Sequence, residues 1–156
     1  MTKLILEVEL VPETCFFSNV RSVLSKTQWT NLSKQVRSIV HDICEICGSS
    51  TRQPLHAHEV WHYDSVNYIQ KLIGMVALCR SCHRVKHFGF AQMQGREEQA
   101  LKHLMKINKI TKKEAEGHIT NSFQQWTERS KHHWKLDISY LSEYGVDVNK
   151  LQKDRK

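Results

Sequence analysis

Cys79-Arg80-Ser81-Cys82-His83-Arg84-Val85-Lys86-His87 places two cysteines three apart and two histidines four apart within one short run. A Cys-x-x-Cys is half of a four-thiolate zinc site. The other half stands upstream as Cys44-Glu45-Ile46-Cys47, followed by Gly48, which suits the tight turn of a zinc knuckle. The 31 residues from 48 to 78 separate the pairs, too many for one hairpin turn and enough for two strands with a connection. A redox role would explain one such pair, not two matched copies around a histidine cluster. Four thiolates close a tetrahedral zinc with no open position, so this metal holds the fold and does no chemistry.

The histidines suggest a second centre. Six of the ten lie between positions 41 and 87. On a helix, His83 and His87 share a face. Leu55-His56-Ala57-His58-Glu59-Val60-Trp61-His62-Tyr63 reads as a strand with His56 and His58 on one face. An isolated histidine is usually a hydrogen-bonded structural residue. Four on two elements tethered by a common zinc instead suggest a metal site with room for water and substrate.

Leu72 to Leu78 is a second apolar run of strand length, and Cys82 to Phe88 should be helical. The order strand, connection, strand, helix is a ββα unit. Leu4 to Val11 alternates from Leu6 onward and predicts an N-terminal strand closed by Pro12, with a helical turn over residues 18–24. Ser25 and Gln28 have capping-box spacing and open a helix carrying Trp29, Leu32, Val36, Ile39 and Val40. Beyond Gly89 the chain reads as helical. Leu101, Leu104, Met105 and Asn108 form one stripe, and Thr111 with Glu114 caps a helix to about Ser130 carrying Ile119, Phe123 and Trp126. Leu136 to Leu141 fits an edge strand or a last helix, and the lysine-rich tail after Gly145 is expected to fray. The fold class is α+β: one domain over residues 1–156, with a zinc-clamped core at 41–92 and supporting extensions at 1–40 and 93–156.

No apolar run approaches a membrane span, and acidic residues interrupt the N-terminus where a signal peptide would stay apolar. A cytoplasmic protein with reduced cysteines is expected, and the unpaired Cys15 reads as a small buried residue. The formal charge of +7 falls to about +5 once four thiolates hold one Zn²⁺, and a second divalent ion restores about +7. Residues 93–156 carry 13 Lys/Arg against 9 Asp/Glu, while residues 41–92 carry 5 against 4. The balance favours a polyanionic partner, with spare cations, among them Lys112, Lys113, Arg129, Lys131 and Lys135, in the C-terminal part.

Ala57-His58-Glu59-Val60-Trp61 together with Ala77-Leu78-Cys79-Arg80-Ser81-Cys82-His83-Arg84-Val85-Lys86-His87 resembles HNH endonucleases of the ββα-metal class. Within that class it is similar to small bacterial HNH proteins with a His-Glu-Val-Trp strand. The likeness covers about residues 41–92. It extends to Val11–Arg37 and to an exit segment containing Phe123, Trp126, Arg129, Ser130 and Trp134. The resemblance implies a metal-dependent nuclease with a ββα-metal core, His58 as general base, and His83 and His87 on a divalent metal (Mg²⁺, Mn²⁺, Ni²⁺ or Zn²⁺) beside the structural Zn²⁺. The position before the base, usually Asp or His in that family, is Ala57 here. His56 is the nearest replacement ligand and Glu59 a weaker one, and the roles of His56 and His58 could be exchanged. The middle Asn of the family name falls near Gly74.

The chemistry matches these residue types. Histidine can accept a proton from water near neutral pH. A cation with open positions neutralises phosphoryl charge. Arg84 and Lys86, beside the ligands, could hold neighbouring phosphates. The expected partner is nucleic acid, DNA before RNA, met by a monomer or homodimer away from membranes. The alternative is a non-catalytic zinc module that binds nucleic acid through a degenerate HNH site. A protein-docking surface is a further rival.

Overall fold

The computed structural model describes residues 3–16 and 18–153. It is a mixed α+β protein with a small three-stranded sheet ordered β1-β2-β3. Strand β1 (His56–Asp64) and β2 (Ile69–Leu78) form an antiparallel hairpin, with a register shift between Val60 and Trp61. The turn is closed by Asp64, whose carboxylate accepts from the amides of Val66 and Asn67, and Tyr68 takes the left-handed conformation at φ 54°. β2 therefore begins at Ile69, three residues before the apolar run that announces it. Gln70 and Lys71 are polar, yet they pair with Tyr63 and His62 across the hairpin. Polarity hid the first part of this strand.

The chain then enters α3 (Arg80–Lys86) and α4 (Phe88–Met93). Before the hairpin come α1 (Val20–Val23) and α2 (Lys26–Ile39). The α2 capping box forms as read: Ser25 Oγ accepts from Gln28 N, and Gln28 Oε1 accepts from Ser25 N. Leu32 and Val36 are buried and Trp29 half-buried, but Ile39, expected on the same stripe, is 68% exposed at the helix end.

After α4 come α5 (Glu97–Asn108) and α6 (Lys112–Arg129), the latter opened by the Thr111–Glu114 capping box. The segment that fitted either strand or helix is both. Lys135–Asp137 is β3, parallel to β2, and Ser139–Tyr144 is a 3-10 helix. Val148–Lys153 is helix α7, where a frayed tail was expected; residues 154–156 lie outside the described residues.

One expected element is absent. Residues 4–11 are not a strand but a strap, bent at Ile5 and Leu6 and bonded to helices α5 and α6 through Asn108 and His118. The alternation was genuine, for Leu6 and Val8 are buried. Alternation sets which side chains face inward; it does not choose a strand as the partner. The strap enters one apolar cluster that also holds Leu78, Val85, Phe88, Ala100, Leu104 and Ile138. Cys15 is buried, as read. No helix among the described residues is long and apolar enough to cross a membrane.

Candidate functional site

The four cysteines converge, with one ligand atom from each lying within 4.8 Å of the others. The first knuckle follows two left-handed residues, His41 and Asp42, and turns at Gly48 (φ 71°), whose amide donates to Cys44 O. It is fastened to the end of β2 by Glu45, which donates its amide to Ala77 O and accepts the Ala77 amide on its carboxylate at 2.6 Å. Cys79 is the N-cap of α3, its sulfur accepting from Cys82 N. Cys47 and Cys79 sulfurs stand 3.7 Å apart, close to the ~3.8 Å edge of a tetrahedron with ~2.3 Å zinc–sulfur bonds.

Burial pushes the Cys82 thiol strongly up, helped by the charges of Cys44 and Cys79. Burial also raises Cys79. At Cys47 burial is outweighed by the Ser49 hydroxyl and amide, which bring it down to about 7. Thiolates gathered this closely repel one another unless a cation lies among them. The cluster could hold a structural zinc. His103 Nε2 lies 3.2 Å from Cys82 Sγ, a neighbour the spacing of the motif did not announce.

The histidines form a second group that begins at His83, the residue after Cys82. His58, His83 and His87 each present a nitrogen within 4.8 Å of the others. β1 supplies His58, while α3 and its C-cap supply His83 and His87. His56 sits at the edge of the group, its Nδ1 2.9 Å from His83 Nδ1. That separation suits a hydrogen bond, and also two ligands at right angles on one ion, for which ~2.1 Å bonds give ~3.0 Å. Burial, then the neighbouring His87 and His58, hold His83 down at about 3. Burial and His58 hold His87 at about 4. Burial lowers His56 as well, with Arg80 and Arg37 adding to it. These neutral imidazoles keep lone pairs free at physiological pH, the state a metal ligand needs.

His58 is only 5% exposed, and its Nε2 donates to Glu9 Oε2 at 2.9 Å. Glu9 Oε1 accepts from Lys86 Nζ at 2.6 Å. Burial alone would raise the Glu9 carboxyl, but His58 and Lys86 together bring it down to about 2. A carboxylate can only accept, so Nε2 carries the proton shared with Glu9, and in the neutral form of the ring the lone pair stands on Nδ1.

The histidines open into a cleft of about 1040 Å³ lined by Arg37, Arg80, Arg129, Trp29, Trp61 and Trp126, with the strap as part of its wall. Arg129 lies over the Tyr63 ring at 4.5 Å, and Tyr63 meets Trp134 edge-on. Glu59 accepts from Trp61 Nε1 and is mostly buried beside Val20 and Arg21, in the wall of the same cleft. Arg84 and Lys86 are not among the residues lining this cleft. Arg84 bonds Gln99 in a separate shallow groove with Lys102 and Lys106, and Lys86 is buried against Glu9. Sequence reasoning missed Glu9, Arg37 and Arg80. Arg80 stands inside the second knuckle, and its place between Cys79 and the Cys82-His83 pair was the available signal. Glu9 and Arg37 carry no local signal, since each acts through a fold that brings distant segments together.

No protein-family model matches the chain, and no solved structure does. A segment of 77 residues is 26% identical to Zorya protein ZorE of Escherichia coli, covering 46% of this chain and 21% of that protein. The likeness thus spans about a fifth of the length of that relative.

Proposed function

We propose that the chain is a metal-dependent nuclease of the HNH, ββα-metal type, hydrolysing phosphodiester bonds in nucleic acid, with DNA the first substrate to test. The observation that carries this reading is the convergence of His58, His83 and His87 beside a four-cysteine cluster, at an arginine-lined cleft. The consecutive order β1, β2, α3 supports the ββα assignment. The cysteine cluster and the segmental likeness to ZorE are compatible with a nuclease-like or zinc-binding role.

In this reading Cys44, Cys47, Cys79 and Cys82 hold the structural zinc. His83 and His87, with His56 as third imidazole, hold a divalent cation. That cation, when bound, supplies positive charge to the phosphoryl oxygens and the departing oxygen. His58 is the general base: its free Nδ1 takes the proton of the attacking water, and the Glu9 carboxylate offsets the positive charge left on the ring. Arg37 and Arg80 contact the phosphates flanking the scissile bond.

The triangle formed by His58, His83 and His87 favours a second assignment, in which His58 completes the ligand set and His56 is the base. Two substitutions separate the assignments. His58→Ala abolishes cleavage while retaining the second metal under the first, and loses that metal under the second. His56→Ala gives the mirror result.

A further inference from the structure

The strap that carries Glu9 is held by polar contacts more specific than burial of Leu6 and Val8 requires. Asn108, the last residue of α5, accepts the amides of Ile5 (2.7 Å) and Leu6 (3.0 Å) on Oδ1. Its Nδ2 donates to Leu6 O at 2.8 Å. The Val8 amide donates to His118 Nε2 of α6 at 2.9 Å, and the Glu9 amide donates to Lys86 O at 3.1 Å. Apolar packing alone would let an extended segment slip. A slip of one residue turns every side chain to the opposite face and would replace Glu9 by a neighbour, Val8 or Leu10. By bonding both the N–H and the C=O of Leu6, Asn108 fixes the register three residues before Glu9.

We propose that Asn108 and His118 are positioning residues for the histidine site: they lock residues 5–9 in the one register that brings the Glu9 carboxylate to His58 Nε2. This rests on the nuclease reading for its consequence but not for its geometry. The C-terminal helices then belong to the working site as well as to the scaffold, because Asn108 holds the strap whose Glu9 meets His58. A carboxylate that holds a catalytic imidazole governs its tautomer and orientation, and removing such a partner typically costs about 10- to 100-fold.

The test uses the full chain loaded with its structural zinc. ¹⁵N NMR of the His58 ring, without nucleic acid, reads the tautomer; cleavage kinetics read kcat and KM. Wild type should show His58 as a single Nε2–H tautomer. Glu9→Gln and Asn108→Ala should each give mixed tautomers and a kcat lower by about tenfold or more, with KM changed by less than about twofold. The double variant should lose no more than Glu9→Gln alone, because both changes break one chain of contacts. Asn108→Asp, which keeps the acceptor for Ile5 and Leu6 but loses the donor to Leu6 O, gives an intermediate shift and covers the case in which alanine unfolds the protein. A wild-type tautomer and a wild-type kcat in both Asn108 variants would overturn the proposal. If the protein cuts nothing, the tautomer arm still decides the positioning role, and only the nuclease reading falls.

Discussion

Glu9 and His58 stand 49 positions apart in the chain and 2.9 Å apart in space, Glu9 Oε2 accepting from His58 Nε2. The same carboxylate holds the buried Lys86 through its other oxygen. One acidic side chain thus joins the N-terminal strap, strand β1 and helix α3. Removing its charge should be felt twice, in stability and at His58. The Glu9 side chain is 34% exposed, so solvent screens part of the pair. Glu9→Gln is expected to cost about 1–2 kcal/mol, less than the cost of orphaning a fully buried charge. Chemical denaturation of the zinc-loaded protein checks this.

The cysteine cluster predicts a metal that behaves as part of the fold. Zinc analysis should find about one tightly held ion per chain that survives dialysis, and Cys79→Ser should abolish it together with cooperative unfolding. Cys15→Ser, at a buried site outside the cluster, should leave the zinc in place. Retained zinc and folding in Cys79→Ser would remove the structural role.

Acid should weaken the protein through its histidines. Burial and mutual repulsion hold His83 near 3 and His87 near 4 in the folded chain, against 6.5 for the free side chain. Protons therefore bind the unfolded state more readily between these values. Stability supplied by the neutral rings is complete above about pH 6.5 and is lost as pH falls toward 4 and then 3. Replacing both with Asn should flatten the fall in stability from pH 6.5 downward, measured as the difference from wild type with one structural zinc per chain and no excess divalent ion. An unchanged pH slope in the double variant would contradict the burial argument.

Arg37 and Arg80 line the cleft, whereas Arg84 bonds Gln99 elsewhere. Arg37→Ala and Arg80→Ala should each weaken nucleic-acid binding and reduce its salt dependence by about one unit of slope. Arg84→Ala should do much less. Equal effects of all three would mean that nucleic acid covers both grooves.

The local half of this molecule was legible in its sequence. The knuckles, the strand and helix histidines and both capping boxes depend on spacings of two to four residues, which the backbone geometry converts directly into proximity. What failed to show depended on distant partners. The strap looked like a strand because Leu6 and Val8 alternate with polar residues, and nothing in that alternation says that Asn108 and His118 replace a sheet edge. Arg84 and Lys86 adjoin the helix histidines in sequence, yet a helix turns neighbours by about 100° and sends them to other faces. β2 was shortened at its start because Gln70 is polar, although the fold buries it completely.

The decisive experiment is relaxation of supercoiled plasmid under Mg²⁺, Mn²⁺ or Ni²⁺, comparing wild type with a folded, zinc-retaining His58→Ala. Metal-dependent nicking by the wild type should fall at least about 100-fold in the variant. Equal nicking by both proteins would contradict the assignment of His58, and the absence of cleavage on double-stranded DNA, single-stranded DNA and RNA alike would contradict the nuclease reading itself.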